Sequence, residues 1–327
     1  MPITLRRGRV DAVIERHAGL VRLEVDGRPC LAYPRLTGAV AVGDDVLVNV
    51  QGIELGLGSG GFDILYANLT RGLELPTEGE AHVMKLPYTP LQHAVRHAEE
   101  DGGLPERLDA LPVVSTSLHS QLVPVCAALA GVRVAFIQIA GGALPVALSD
   151  AVRALKKRGL LHAALGAGAC FGGDEDCANV YSGLAAAKAR GAEAVVCGIG
   201  PGIVGTGTVL GHGGVVAAAA ANAATALGGS PVIAPRVSHA DQRERHRGLS
   251  HHTSAVLDLC LGPVQVAWPA GLQVPTELAA VEEVDVSDWR QACEGLPLSH
   301  MGRGPDDDPW FFAAAFAAGR LAAGLGP

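Results

Sequence analysis

The chain has 327 residues, of which 49% are hydrophobic and 18% are charged, and its formal net charge is −8. This composition excludes a disordered chain, because disorder goes with low hydrophobicity and high charge, and the length fits two domains. The negative charge argues against a nucleic-acid partner, because nucleic acids bind to broad basic faces.

Residues 1–75 are predicted to form a small antiparallel β-barrel or sandwich. Short runs such as Leu20–Val25 and Val46–Val50 alternate between apolar and polar residues, and turn residues separate them. Asp26 and Gly27 predict a tight hairpin turn. The acidic, proline-containing segment Leu73–Glu80 is the predicted linker.

Residues 76–327 are predicted to form a Rossmann-like α/β domain, with a mostly parallel sheet and helices on both faces. In this part of the chain apolar strands alternate with longer helical stretches, which is the pattern of βαβ units. The predicted strands are Pro112–Thr116, Val132–Ile139, Leu161–Leu165, Ala194–Ile199, Pro231–Arg236 and Val264–Trp268. The predicted helices between them are Leu118–Ala130, Val146–Arg158, Asn179–Arg190, Val215–Leu227 and His252–Leu261.

A last helix is predicted from Pro309 to about Ala323, with Asp308 as its N-terminal cap. This helix is expected to pack back on the sheet or on a partner subunit, and it and the small-residue helix Val215–Leu227 are candidate surfaces for a homodimer. The stretch Val215–Leu227 is too short for a membrane span, which needs about 20 residues, so no membrane partner is expected. The seven cysteines are scattered without a CxxC pair and no apolar signal core follows the first arginines, so we expect a cytoplasmic protein with reduced thiols.

Five loops carry glycine, histidine and carboxylate side chains at the predicted carboxyl ends of strands. Because ligands of open parallel sheets bind at this edge, we expect the loops to converge on one site. The loops contain Ser117–Ser120, Gly141–Pro145, Phe171–Asn179, Gly200–Thr208 and Ser238–His252.

The loop after the fourth strand matches the pattern GxGxxG over Gly200–Gly205. A dinucleotide-binding turn leads directly into its helix, and an acidic residue ends the next strand. Here the helix is predicted to start only near Gly214 and the next strand has no such residue, so a standard NAD site is disfavoured. Either the loop is a long connection or it is a backbone cradle for phosphate or carboxylate, formed by Gly202, Gly205, Thr206, Gly207 and Thr208.

The loop after the fifth strand combines arginines with histidines. Arginine binds phosphate and carboxylate with two parallel hydrogen bonds, and Ser250 is placed to cap the next helix. The alternative is a solvated charged loop. The candidate anion-binding residues are Gly141, Gly142 and Asn179 from earlier loops and Arg243, Arg245, Arg247 and Ser250 from this one.

Proton transfer or metal binding is assigned to histidine and carboxylate residues in the same loops. The candidate catalytic residues are His119, Asp174, Asp176, His246, His251 and His252. A divalent metal is an open alternative, with His239 and Asp241 as further ligands, although the spacing matches no established metal motif. Asp174 and Asp176 could instead stabilise a helix N-terminus, and His119 could be structural. No GxSxG elbow and no P-loop occur, which disfavours serine-hydrolase and P-loop ATP chemistry.

The strings GGALP (Gly141–Pro145), GPGIVGTGT (Gly200–Thr208), ERHRGLSHHT (Glu244–Thr253) and MGRGPDDDPW (Met301–Trp310) resemble a bacterial family known only as a domain of unknown function. The resemblance extends over nearly the whole chain and implies a shared architecture, but no catalytic assignment. One departure is Ala140, where a polar or acidic residue is expected before GGALP.

Together these observations predict an enzyme that acts on a small anionic, phosphorylated substrate by hydrolysis or group transfer. The alternative is a non-catalytic metabolite- or nucleotide-binding regulatory protein that uses the same loops.

Overall fold

The computed structural model describes residues 2–56, 60–71, 80–278 and 280–326. The chain divides into two compact units, Met1–Val95 and Arg96–Pro327. All but the last residue of the predicted linker Leu73–Glu80 lie outside the described residues.

The first unit is built on five strands: β1 (Leu5–His17), β2 (Leu20–Val25), β3 (Arg28–Ala32), β4 (Asp45–Asn49) and β5 (Asp63–Asn68). They close into a barrel in the order β1-β2-β3-β5-β4, in which the long β1 pairs with both β2 and β4 and β3 runs parallel to β5. This strand order is that of an OB-fold barrel. The helices α1 (Pro34–Thr37) and α2 (Gln51–Glu54) and a ribbon of β6 (Val83–Lys85) and β7 (His93–Val95) also belong to the unit.

The turn between β2 and β3 confirms the predicted hairpin. Asp26 has a φ of 48° and Gly27 a φ of 72°, so both lie in the left-handed region. A two-residue turn with this geometry matches the twist of the strands that it joins. It fixes the register in which Val25 faces Arg28.

The second unit contains an eight-stranded sheet. Its strands are β8 (Pro112–Thr116), β9 (Val134–Ile139), β10 (Ala163–Ala167), β11 (Glu175–Cys177), β12 (Ala194–Ile199), β13 (Ser230–Ala234), β16 (Gln265–Pro269) and β17 (Glu282–Val284), while β14 (Val237–Ser238) and β15 (Gly248–Leu249) form a separate ribbon. The order is β11-β10-β9-β12-β8-β13-β16-β17, and every pairing is parallel. All six predicted strands are present, with β8 and β12 at the predicted bounds.

Helices cover both faces of this sheet, which confirms the predicted Rossmann-like architecture. One face carries α3 (Leu122–Ala128), α4 (Asp150–Lys157), α8 (Trp289–Ala292) and α9 (Pro309–Gly324), and the other carries α5 (Val180–Ala189), α6 (Val216–Ala226) and α7 (His251–Asp258). Successive strand residues point to opposite faces, so Val114 and Val196 pack with the first group of helices and Val113 and Val195 with the second.

Helix α9 begins at Pro309 as predicted, but the predicted cap is wrong. The side chain of Asp308 makes no capping hydrogen bond, because its carboxylate accepts hydrogen bonds from Ser238 and Arg303. The prediction that α9 packs back on the sheet is confirmed, and its use as a dimer surface stays a prediction. Its apolar residues, among them Phe311 and Phe316, are buried within the same chain.

The alanine-rich helix α6, the other predicted dimer surface, packs against strands of its own chain. Ala220 and Ala224 are buried beside Val113 and Val195, and Ala217 is buried beside Ile233. The apolar side of α6 is therefore used inside the unit. In the described part of the chain, no helix is both long enough and apolar enough to cross a bilayer.

Candidate functional site

Four of the loops that leave the carboxyl ends of the strands meet at one place. They follow β8, β9, β12 and β13. In the sheet, β9 to β12 lie on one side of β8, with β12 next to it, and β13, β16 and β17 lie on the other side. The ring of His119, after β8, contacts the carbonyl oxygen of Ile199, at the end of β12, at 3.0 Å. This is the topological switch point, where α/β sheets bind their ligands.

The glycines after β9 allow two loops to approach each other closely. A Cβ atom on Gly142 would lie 2.4 Å from the carbonyl oxygen of Gly200, and one on Gly141 would lie 2.6 Å from that of Gly213. Only glycine permits this backbone contact. The structure thus gives both predicted anion-binding glycines a packing role between the loops.

The predicted base His119 is held by contacts on both ring nitrogens. Nδ1 donates to the carbonyl of Ile199, so Nε2 accepts from the hydroxyl of Ser149 at 2.7 Å. Burial lowers the pKa of His119 to about 4, so the ring is neutral at physiological pH. These contacts tie β8, β12 and the start of α4 together. The assignment of His119 as a general base stays a prediction.

The glycine-rich loop after β12 forms a small hairpin over Gly205–His212. Gly205 pairs with His212, and the Thr206 amide donates to the Gly211 carbonyl at 2.7 Å. The hydroxyls of Thr206 and Thr208 contact each other at 3.0 Å within the hairpin. Helix α6 starts after this hairpin, so the loop does not lead directly into a helix as a dinucleotide-binding turn does.

The loop after β13 is closed by the β14–β15 ribbon and ends at α7. Val237 of β14 pairs with Leu249 of β15. Ser250 caps α7 as predicted, because its hydroxyl accepts from the backbone N–H of His252 at 3.2 Å. The cap places His251 and His252 side by side in the first turn of the helix.

Four histidines from these two loops form an imidazole cluster, which consists of His212, His246, His251 and His252. The rings of His212 and His252 stack with their centroids 3.6 Å apart. The His246 ring lies 4.8 Å from the rings of both His251 and His252. The cluster therefore joins the hairpin to the loop after β13.

Several nitrogens of the cluster are available to a ligand. Among the residues that the structure describes, Nε2 of His251 is buried without a hydrogen-bond partner, and the ring nitrogens of His212 are buried with no more than a poorly aligned contact to the backbone of Val209. Nδ1 of His246 contacts the Ser250 hydroxyl at 2.7 Å, and Nδ1 of His252 accepts from Arg236 at 3.1 Å. One nitrogen each of His212, His251 and His252 lies within 4.8 Å of the others, so these three residues could hold a metal ion.

A buried arginine–aspartate network, which consists of Arg236, Asp241, Arg243, Arg303 and Asp308, lies beside the cluster. The carboxylate of Asp241 accepts from Arg236 at 3.2 Å, from Arg243 at 2.9 Å and from Arg303 at 3.3 Å. Arg303 also contacts Asp308 at 3.3 Å. Because three guanidinium groups face two carboxylates, the network has an excess of one positive charge.

Burial and this positive charge keep the imidazole rings neutral. Burial, followed by the charge of Arg236, lowers the pKa of His246 to about 3 and that of His252 to about 2. Burial lowers the pKa of Arg236 to about 10, so its guanidinium still carries its proton at neutral pH. Burial alone would raise the pKa of Asp241, but hydrogen bonds from Arg243 outweigh it and lower that pKa.

Two arginines of the loop after β13, Arg245 and Arg247, are exposed. The Arg245 guanidinium lies against the hairpin, since a Cβ atom on Gly207 would be 3.5 Å from its Nη2 atom. Burial lowers the pKa of His251, and the positive charge of Arg245 is the second cause that lowers it. Arg245 is therefore an exposed positive charge that borders both the hairpin and His251.

Residues 29–319 match the model of a family described as a protein of unknown function, DUF3866. The chain belongs to the DUF3866 family. No curated protein and no solved structure shows significant similarity to the chain. The matched range contains the whole imidazole cluster and the whole arginine–aspartate network, so both lie in the part of the chain that defines the family.

In this DUF3866 protein the loop after β10 touches the loop after β9, since Phe171 pairs with Pro145, but its acidic residues lie apart from the imidazole cluster. The chain turns back after β10, so the amide of Asp174 bonds to the carbonyl of Ala164, near the start of that strand, at 2.7 Å. Its carboxylate pairs with Lys156 at 2.5 Å. Asp176 is buried in β11, opposite Gly166 of β10. The return of the chain therefore separates Asp174 from the cluster, and the position of β11 at the edge of the sheet separates Asp176 from it.

Asn179 is also separate from the cluster. It lies at the start of α5, next to the edge strand β11, and its side-chain oxygen accepts from the amides of Tyr181 and Ser182. Asn179 is therefore the N-terminal cap of α5, and this role explains its position without any bound ligand.

The predicted metal ligands His239 and Asp241 are corrected by the structure. His239 is exposed and lies outside the group of histidines that could share an ion. Both carboxylate oxygens of Asp241 accept hydrogen bonds from arginines. A cation would have to displace these guanidinium groups, which makes Asp241 a poor ligand.

Sequence reasoning missed three functional candidates of this DUF3866 protein: His212, Arg303 and Asp308. His212 was within reach, because it is the one histidine of the glycine-rich loop that precedes α6. Arg303 and Asp308 lie in the MGRGPDDDPW string, 62 positions from Asp241 and 70 positions from Ser238, the residues that they contact. Composition alone carries no signal for such a distant pairing.

Proposed function

We propose that this protein is an enzyme that acts on a small anionic, phosphorylated substrate by hydrolysis or group transfer. The observation that carries the proposal is the position of the exposed Arg245, which lies between the glycine hairpin and the neutral imidazole cluster. A phosphate that contacts this arginine would lie next to the unpartnered nitrogens of His251 and His212.

The electrostatics of the site support an anionic substrate. The arginine–aspartate network carries an excess positive charge, and Arg236 has a buried Nε atom without a hydrogen-bond partner among the described residues. A positive potential in a partly desolvated site attracts anions strongly. Arg243 supports the site through Asp241, while Arg245 and Arg247 remain free to move toward the substrate.

The imidazole cluster supplies the reactive groups. Neutral imidazole nitrogens can take up a proton, donate one or bind a metal ion. His251 is half-buried and borders the exposed Arg245, so it is the member of the cluster that a substrate would meet first. We also propose a cytoplasmic location, because all seven cysteines are free thiols.

Phosphate binding is the first test. Isothermal titration of the purified full chain with inorganic phosphate should detect binding, and Arg245→Ala should weaken it about tenfold, the value of one charge-assisted contact. Arg290→Ala is the matched control, because Arg290 is exposed and pairs with Asp306 outside the site. Equal affinities of the two variants for phosphate would contradict the proposed anion site.

Turnover is the second test. A panel of phosphomonoesters should reveal phosphate release or transfer, and His251→Asn should reduce the rate by about 100-fold or more. His239→Asn, which changes an exposed histidine, should leave the rate unchanged. Phosphoester binding without turnover of any panel member would instead favour a non-catalytic binding protein.

A further inference from the structure

We propose that His212, His251 and His252 together bind one divalent transition-metal ion, with Zn²⁺ as the best fit. The inference rests on the proposed function and deepens it, since the ion would polarise the phosphoryl group of the substrate. It starts from the grouping of one ring nitrogen from each histidine within 4.8 Å.

The unsatisfied nitrogens are the strongest support. His212 is only 6% exposed, yet its ring has no more than a poorly aligned contact with the backbone of Val209, and Nε2 of His251 has no hydrogen-bond partner among the described residues. Buried polar atoms are nearly always hydrogen-bonded, and leaving one unpaired costs about 1 to 3 kcal/mol. An ion at the edges of the rings would satisfy one nitrogen of each, once His212 or His252 turns out of the stack that the two rings now form.

The ligand set indicates which ion fits. Three imidazoles and no carboxylate favour Zn²⁺ and its neighbours over Mg²⁺ or Ca²⁺, which prefer oxygen. Three protein ligands leave a fourth position open, as in catalytic zinc sites. Arg245 borders both His251 and the hairpin, so a substrate held by Arg245 would be near enough to take that position.

Arg236 and Arg245 make metal binding depend on the anion. The guanidinium of Arg236 donates to Nδ1 of His252, so an ion either displaces it from this nitrogen or binds through the far side of the ring. Both arginines also repel a dication, and Asp241 compensates only part of their charge. A bound phosphate neutralises the arginines and the ion together, so phosphate should tighten metal binding, and metal should tighten phosphate binding by the same factor.

The test uses the purified full chain after treatment with a chelator. Titration with Co²⁺ should show one bound ion per chain with the visible absorption of a four-coordinate site, and Zn²⁺ should displace it. Phosphate should raise the Co²⁺ affinity about fivefold or more, within the usual range of coupling between neighbouring sites. An absence of Co²⁺ absorption and of Zn²⁺ binding would overturn the proposal.

Three variants separate ligation from folding, each checked by its thermal unfolding curve. His251→Ala should weaken Co²⁺ binding about 100-fold, whereas His251→Cys should retain binding and add a sulfur-to-metal charge-transfer band. His239→Ala should bind Co²⁺ as the unmodified chain does. Unchanged Co²⁺ affinity in a folded His251→Ala variant would overturn the proposal.

The outcomes also separate this inference from the proposed function. Turnover by a chelator-treated chain that afterwards binds neither Co²⁺ nor Zn²⁺ would refute the metal site and leave the proposed function intact. Tight Co²⁺ binding without phosphate binding or turnover would establish the metal site and refute the proposed function.

Discussion

The guanidinium of Arg236 and the carboxylate of Asp241 pair at 3.2 Å, although each side chain is only 2% exposed. Arg243 and Arg303 reach the same carboxylate from the solvent side, with side-chain exposures of 38% and 20%. One aspartate thus holds three arginines in place behind the imidazole cluster. The pairing explains why a buried arginine is tolerated at the end of β13.

Replacement of Asp241 by asparagine should destabilise the second unit. The change leaves Arg236 buried without a counter-charge, and removing one partner of a buried ion pair costs about 3 to 5 kcal/mol. Urea unfolding measures this loss. Asp306→Asn, which removes a 94% exposed carboxylate paired with Arg290, should cost less than about 0.5 kcal/mol. Similar losses in both variants would show that burial of the network contributes no stability.

The stability of the second unit should fall in acid in a way that depends on His119. Burial lowers the pKa of His119 from 6.5 to about 4, so the unfolded chain takes up the proton first as the pH falls. The contribution of His119 to the free energy of unfolding is therefore complete above pH 6.5 and is lost progressively toward pH 4. Urea unfolding at several pH values should give a shallower pH dependence for His119→Gln than for the exposed control His239→Gln. Parallel curves for the two variants would contradict this.

A single methyl group at Gly142 should separate two loops of the site. The new Cβ atom would lie 2.4 Å from the Gly200 carbonyl oxygen and 3.0 Å from that of Pro201, and backbone cannot move aside cheaply. We expect Gly142→Ala to cost about 1 to 3 kcal/mol and to shift the imidazole resonances in NMR spectra. Gly324→Ala, whose Cβ atom meets nothing within 4 Å, should not destabilise the fold.

Asn179 should prove to be a structural cap. Asn179→Ala removes the side-chain acceptor at the start of α5 and should cost about 1 kcal/mol in thermal or urea unfolding. Asn179→Asp, which keeps an acceptor, should restore most of the loss. Phosphate affinity should be the same in both variants. A loss of phosphate binding in Asn179→Ala with normal stability would show instead that Asn179 contacts the ligand.

The fold was largely predictable because the central strands are continuous apolar runs with clear boundaries. β8 and β12 are buried on both faces, and their sequences show it without ambiguity. The edge strands β11 and β17 were missed, because Glu175–Cys177 and Glu282–Val284 lack an apolar pattern. Their pairing depends on backbone hydrogen bonds, which any sequence can make.

The sequence predicted the position of a site residue only where the strand that precedes the residue determines that position. His246, His251 and His252 follow β13 and lie together as expected, since the carboxyl ends of adjacent parallel strands share an edge. The same reasoning gave the wrong position for Asp174, because the chain reverses after β10. The spacing of apolar residues in the sequence does not reveal that reversal. The contact between Arg303 and Asp241 joins residues far apart in the chain, so only the folded structure shows it.

Helix α9 follows every strand of the sheet in the chain, yet it packs on α3, β13 and β16, and Asp308 before it holds Arg303. During synthesis the part of this sheet face over β13 and β16 therefore leaves the ribosome uncovered, while α3 and α4 already cover another part of it. This part of the face is covered only when residues 309–324 emerge. The same part of the chain brings Asp308, which holds Arg303 behind the cluster. A chain interrupted before this helix would be a client for chaperones, since newly made chains with uncovered apolar surface aggregate.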